Sequence, residues 1–205
     1  MTSASDRDLQ VQIRREVIAS VRPARVFDAF SGLGVMWAGA WKLADSYVGC
    51  DLDFYLEEPR RRFVGDNRRV MRAVDLQAWN VFDLDAPGSK PPWEQLVILA
   101  ARRRWGKGER GAVVVTDGAQ PPKPNRVPKE GERVVPPRPV KILPGVVDLI
   151  GLPMAEKLAS KPTEASAELL KAWTARAGVQ LVKRLHVETD GARKTRFVGL
   201  VFEGI

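Results

Sequence analysis

The chain has almost none of the residues from which metal centres are built: one cysteine, Cys50, and one histidine, His186, in 205 residues. A single cysteine excludes an internal disulfide and a multi-cysteine zinc cluster, and a single histidine leaves no imidazole set for a catalytic metal. No bound metal is expected. Also missing is any run approaching the about 20 apolar residues that cross a bilayer. Residues 1–8 are polar and include Asp6 and Asp8, unlike a secretory signal. No membrane partner is expected, and a cytoplasmic address follows as the default. An acidic surplus is absent too: 33 Lys and Arg against 25 Asp and Glu leave a formal charge of +8. That balance points to a polyanionic partner, since neutralised phosphates release counterions and drive association. What is present in quantity is apolar material. At 44% hydrophobic residues, the chain can fill the core of a single domain spanning 1–205.

Periodicity divides most of that domain into alternating strands and helices. Segment 9–20 spaces Val11, Ile13, Val17 and Ile18 at loosely helical intervals and ends before Pro23. Segment 25–30 (RVFDAF) reads as a buried strand, runs into Ser31-Gly32-Leu33-Gly34, and gives way to a helix over 35–43. Further strands are expected at 47–52, 62–64, 80–84 and 112–116, with an amphipathic helix over 68–78 carrying Val70, Met71 and Val74 on one face. Another helix is expected over 93–104, stopped by Gly106. Such alternation implies an α/β fold with parallel pairing through right-handed crossovers, and ligands in such sheets bind outside the carboxyl ends of the strands. From 119 to 144 the composition changes to proline, lysine, arginine and glycine, an irregular excursion expected to flank the acceptor site as a lid or docking arm. A helix at 163–177 and two alternating segments, 179–188 and 195–202, joined across Asp190-Gly191, predict a closing antiparallel hairpin.

The polar strand ends carry the candidate chemistry. Gly32 and Gly34 sit where backbone must turn sharply or approach a ligand, ahead of a helix N-terminus, although such a turn can also simply connect a strand to a helix. The dinucleotide fingerprint places a third glycine three residues later, and Trp37 stands there, which disfavours a nicotinamide or flavin cofactor. Asp51, roughly 20 residues beyond the turn, is placed to accept hydrogen bonds from a ribose diol, with Asp53 as a neighbour that can substitute. Asp66 and Asn67 offer a carboxylate and an amide to an adenine edge, or else cap the following helix.

In this order, DAFSGLG between strand and helix, GCDLD, FVGDN, NVFDLDAPG and a terminal hairpin, the chain resembles class I S-adenosylmethionine-dependent methyltransferases, by motif over 25–116 and by topology beyond. The resemblance implies a doubly wound, Rossmann-like, mostly parallel sheet of seven strands in the order 3-2-1-4-5-7-6, the last antiparallel. It implies S-adenosylmethionine, leaving as S-adenosylhomocysteine, held across Asp28, Phe30, Ser31, Gly32 and Gly34. Its ribose would rest on Asp51, with Leu52 beside it, and its adenine near Asp66 and Asn67. Phe30 replaces the family's usual first glycine, a variation similar to the D-x-F-x-G-x-G of DNA cytosine methyltransferases and some RNA enzymes.

Segment 83–89 occupies the place where amino-methylating enzymes carry an acidic or amide residue followed by Pro-Pro-aromatic. There a carboxylate and a backbone carbonyl accept the target amine's protons and aim its lone pair, while the ring stacks on the base. The segment is similar to that of tRNA guanosine N2-dimethyltransferases, which end this strand in Asp-Pro-aromatic-Gly-Ser; Asp85, Gly88 and Ser89 match, and Ala86-Pro87 stand where the proline and ring would be. The resemblance makes Asp85 and Pro87 the candidate catalytic residues. Pro91-Pro92-Trp93 reads better as a helix entry than as a displaced motif, because Lys90 stands where an acceptor belongs.

Other chemistries fit less well. Cytosine C5 methylation needs a nucleophilic cysteine beside the fourth strand, whereas Cys50 precedes Asp51 in the second and reads as core. His186 lies between Leu185 and Val187 in the hairpin and reads as a strand residue. Arginines at 60–62, 68–69 and 102–104, interspersed with Trp37, Trp41, Trp79 and Trp105, can grip phosphates and stack bases, or else stabilise a helix end and fill the core. The reading is a methyltransferase of an exocyclic amine in nucleic acid, RNA before DNA. The alternatives are a catalytically degenerate binding module of the same fold and a methyltransferase of a protein or small molecule.

Overall fold

A computed structural model describes residues 4–53, 61–86, 92–117, 162–188 and 196–205. Helix α1 (Ala4–Ser20) leads into strand β1 (Arg25–Asp28), the short helix α2 (Val35–Gly39), a 3-10 turn (Trp41–Leu43) and β2 (Ser46–Asp51). Then come β3 (Arg62–Val64), α3 (Asn67–Ala73), a second 3-10 turn (Leu76–Ala78), β4 (Val81–Leu84), α4 (Trp93–Arg102) and β5 (Arg110–Asp117). Helix α5 (Pro162–Ala177) and the strands β6 (Val179–Glu188) and β7 (Arg196–Gly204) close the chain. The strands form one seven-stranded sheet in the order β3-β2-β1-β4-β5-β7-β6. The first five pair in parallel, and β7 runs antiparallel to both β5 and β6. Order and orientation are those expected.

Both faces of the sheet are covered, so the central strands are apolar along their whole length rather than alternating. On one face Phe27, Phe82, Val113, Val115 and Phe202 pack against Met71 of α3, Leu96 and Leu99 of α4 and Trp173 of α5. On the other, Val26, Val81, Ala112, Val114 and Val201 meet Ile13, Val17 and Ile18 of α1 and the indole of Trp41. Neighbouring residues of one strand thus serve opposite cores, which pins the register: a slip by one residue would exchange the two sets. Strand pairing brings the carboxyl ends of β1, β2 and β4 side by side, with Asp28 opposite Gly49 on one flank and opposite Asp83 on the other.

Several boundaries differ from the sequence expectations, each for a local reason. The leading helix begins at Ala4 rather than 9. The single helix expected over 35–43 ends after Gly39, and the chain re-forms as the turn Trp41–Leu43. Gly39 lies against α1, where a Cβ would stand 2.6 Å from a methyl of Val11, and the break swings Trp41 fully into the core. The helix expected over 68–78 ends at Ala73, because Val74 is extended and Asp75 caps a new turn by accepting from the amide of Gln77 at 2.9 Å. The helix expected over 93–104 ends at Arg102. Strand β5 extends past its expected limits in both directions because β7 pairs with it from Arg110↔Glu203 to Asp117↔Arg196. The Asp190-Gly191 turn, the excursion at 119–144 and Pro87 lie outside the described residues.

Candidate cofactor and acceptor site

The turn after β1 is held down by backbone bonds to both neighbouring strands. The amide of Ala29 donates to the carbonyl of Asp83 at 2.9 Å, and that of Ser31 to the carbonyl of Cys50 at 3.0 Å. Gly32 and Gly34 take positive φ angles of 46° and 80°, where an L side chain is strained, and Gly34 opens α2. The turn lies directly on β2: a Cβ at Gly49 would stand 2.7 Å from both Cβ and Oγ of Ser31. Asp51 closes the loop from the other side, its Oδ2 accepting from the amide of Gly32 at 2.7 Å and its Oδ1 from that of Asp53 at 3.1 Å. Beside it Leu52 is 71% exposed, an apolar side chain held in solvent at the sheet's carboxyl edge. Phe30 packs partly buried against the core, its amide donating to Oδ1 of Asp28 at 3.1 Å.

Of the two roles left open for Asp66 and Asn67, the helix cap falls to Asp66. Asp66, not Asn67, caps α3, accepting from the amide of Arg68 at 2.9 Å, and the Arg68 guanidinium holds its carboxyl down to about 2. The Asn67 amide is spent internally, donating to the carbonyl of Ala29 at 2.8 Å and accepting from the Gln95 side chain at 2.8 Å. Asn67 thus fastens the glycine turn to α3 and α4.

One strand over, three carboxylates gather around a guanidinium that sequence reasoning missed. Arg14 of α1, 1% exposed, grips Asp83 with Nε at 2.7 Å and Nη2 at 3.0 Å and reaches Oδ2 of Asp85 with Nη2 at 2.7 Å. Asp83 also accepts from the Trp41 indole at 2.7 Å and from the amide of Asp85 at 3.2 Å. Oδ1 of Asp85 accepts from the hydroxyl of Thr116 on β5. The remaining acid, Asp28, accepts from the Tyr47 hydroxyl at 2.9 Å. Burial first, and the charge of Asp83 second, push its carboxyl up to about 8. Burial likewise raises Asp85, with Arg14 pulling in the opposite direction. The signal for Arg14 was available: it follows Ile13 and precedes Val17 and Ile18 by three and four residues, a charge inside an apolar stripe, which requires a buried partner.

The other candidates fall to structural roles. Cys50 is fully buried, and burial pushes its thiol up to about 12, the state of an inert core residue. His186 lies exposed on β6. Trp41 and Trp105 are buried and Trp79 packs against Phe27, so these rings belong to the core. Arg103 is buried under the same roof, its guanidinium over the Trp105 ring and bonded to Gln77, Glu109 and the carbonyl of Trp79. Arg102 donates to the carbonyl of Met71. Among the described residues no group of three His, Cys, Asp or Glu can hold a metal ion, and no helix is long and apolar enough to cross a membrane.

No family model and no curated protein matches the sequence. Solved structures do. The whole chain superposes on 78% of TYW2 from M. jannaschii, solved with AdoMet, at a TM-score of 0.52 and 13% identity. It also superposes on 86% of a Pyrococcus horikoshii protein provisionally described as an RNA methyltransferase, at 0.52 and 10%. In Trm1 from Pyrococcus horikoshii, solved with S-adenosyl-L-methionine, 97% of the chain covers 55% of a longer protein at 0.51 and 14%. The fold is that of the class I methyltransferases. In the methyltransferase sheet the turn after β1 lies between the ends of β2 and β4, and here those ends present Asp51 and Asp85.

Proposed function

We propose that the chain is an S-adenosylmethionine-dependent methyltransferase acting on an exocyclic amine of a nucleic acid, RNA before DNA. The observation that carries the reading is a matter of register. Asp28 pairs with Gly49 on one side and Asp83 on the other, so Asp51 and Asp85 each stand two residues past their partner, on opposite flanks of the glycine turn. A ligand lying over the end of β1 meets one carboxylate on each side, and binding at this edge is the rule for open parallel sheets.

The residues present fit S-adenosylmethionine. Gly32 and Gly34 leave backbone without side chains over the turn, Asp51 supplies a carboxylate for ribose hydroxyls, and the exposed Leu52 an apolar contact for an adenine face. Asp28, Phe30, Ser31, Asp66 and Asn67 complete the proposed set, Asp66 by its carboxylate at the rim and Asn67 by fastening the turn. When bound, the cofactor supplies an electrophilic methyl group. The chain's own part is orientation: the carboxylate and carbonyl of Asp85 accept the amine's protons and direct its lone pair, with no strong base required. The Pro-Pro-aromatic platform lacks its ring after Asp85, which is what favours the second reading, a degenerate binding module.

Calorimetric titration with S-adenosylmethionine tests both. The parent is expected to bind, Asp51→Ala to lose binding, and Asp85→Ala to bind normally while losing methyl transfer. A parent that binds no cofactor sinks the proposal, and a parent that binds but transfers nothing supports the module.

A further inference from the structure

A buried arginine shared by two aspartates is a poor device for stability alone. Desolvating the three charges costs more than their attraction returns unless the geometry is nearly ideal, and apolar side chains of similar volume commonly do as well. The geometry here is graded rather than symmetric. Asp83, 2% exposed, is saturated by the Arg14 fork, the Trp41 indole and the Asp85 amide. Arg14, 1% exposed, is fixed by that fork and by its own donation to the carbonyl of Gln10 at 3.0 Å. Asp85 is the member that still reaches solvent, its side chain 14% exposed, with one oxygen on Arg14 and the other on Thr116. Order is passed outward from the closed end of the cluster to its open end.

We propose that Arg14 and Thr116 are positioning residues for Asp85: from α1 and β5 they fix the plane of its carboxylate and leave its remaining lone pairs for the acceptor amine. The inference rests on the function proposed above and extends it to an element, α1, that lies outside the strand-end motifs. Among the described residues the charged groups facing Asp85 are Arg14 of α1 and Asp83 of β4, while Asp28 of β1 acts on Asp83 and Arg14. With Asp83 closed off by the Arg14 fork and the Trp41 indole, the half-open carboxylate of Asp85 is the acidic group left to face the nitrogen on which positive charge develops as the methyl group arrives. The hydroxyl of Thr116 favours the charged form of Asp85, so its loss moves the acid limb of turnover to higher pH.

The test uses the full chain, methyl-labelled S-adenosylmethionine and total cellular RNA as the acceptor probe, from about pH 5 to about pH 9. Thr116→Val is expected to lower kcat about tenfold, leave cofactor affinity by calorimetry unchanged, and shift the acid limb upward. Thr116→Ser, which restores the hydroxyl, recovers both. Arg14→Lys keeps the charge but not the fork, and is expected to lose more activity than Thr116→Val; should it fail to fold, the two Thr116 variants decide alone. Parental kcat and pH profile in Thr116→Val overturn the inference and leave the proposed function standing. Loss of kcat together with cofactor affinity, at an unmoved pH profile, also overturns it, since that is what a merely structural residue would show. A parent that binds the cofactor but labels no RNA overturns the proposed acceptor and the inference together.

Discussion

Asp28 illustrates how much of a residue's chemistry is decided by distant partners. In the sequence it is the acid before a glycine turn; in the structure it is buried, faces Asp83, and is pushed up to about 8 chiefly by desolvation. Its stability contribution has a definite sign. Between the unfolded value, about 4, and about 8, the folded chain holds a proton that the unfolded chain has lost, so stability falls as pH rises through that window. Asp28→Asn keeps a neutral amide in place of the protonated acid, with one oxygen for the Phe30 amide and a donor for the Tyr47 hydroxyl. Thermal unfolding followed by circular dichroism should therefore show a parental Tm that drops from about pH 5 to about pH 8.5 and a smaller drop in Asp28→Asn. Equal slopes in the two proteins would mean that Asp28 is ionised in the fold. None of this was legible from local sequence, because the partner is Asp83 and the burial comes from α1 and Tyr47. What was legible was the place of Asp51 and Asp85 at strand ends, since that depends only on where each apolar run stops, whereas the first strand, expected to run to 30, ends at Asp28 itself.

Elements were legible to the extent that their cause is local. The strands were found because fully buried strands are continuous apolar runs, and their order was reached through resemblance, then met in the sheet. Helix ends were misjudged where tertiary contacts cut a helix short: α2 stops where Gly39 meets Val11, and α3 where Asp75 captures the amide of Gln77. The leading helix was seen, but its buried charge was not drawn into the site, because the partners of Arg14 are 69 and 71 residues away. A similar non-local contact gives a test at this scale. Gly49 of β2 exists for the turn above it, whose Ser31 would lie 2.7 Å from an added Cβ. Gly49→Ala must lift the turn or displace β2, and overpacking of this kind costs about 1–3 kcal/mol. The expected outcome is a protein that still folds, with a Tm lower by several degrees and cofactor affinity weakened at least about tenfold. Parental affinity at a lowered Tm would separate the turn from the binding site.

For the molecule as a whole the open issue is what its charge is for. The surplus of +8 is large for 205 residues, but several arginines, Arg68 and Arg103 of the expected nucleic-acid grip among them, are committed internally. Arg68 and Arg72 share Glu94, Arg103 lies buried on Glu109, and Arg14 serves Asp83 and Asp85. Ion pairing consumes donors without altering net charge, so the surplus must be expressed by other, unpaired cations, and its expression is measurable without knowing where they are. Each phosphate neutralised on binding contributes a slope of about −0.7 to −0.9 in log K against log salt. If only two phosphates are covered, a fourfold rise in salt weakens binding by about tenfold. Fluorescence anisotropy with labelled total tRNA, from about 50 to about 200 mM salt, is expected to show at least that loss. Binding that ignores salt, or none at the lowest salt, would show that the basic surplus does not serve an RNA acceptor and would turn the search for the amine toward proteins or small molecules, with the cofactor edge and Asp85 unchanged.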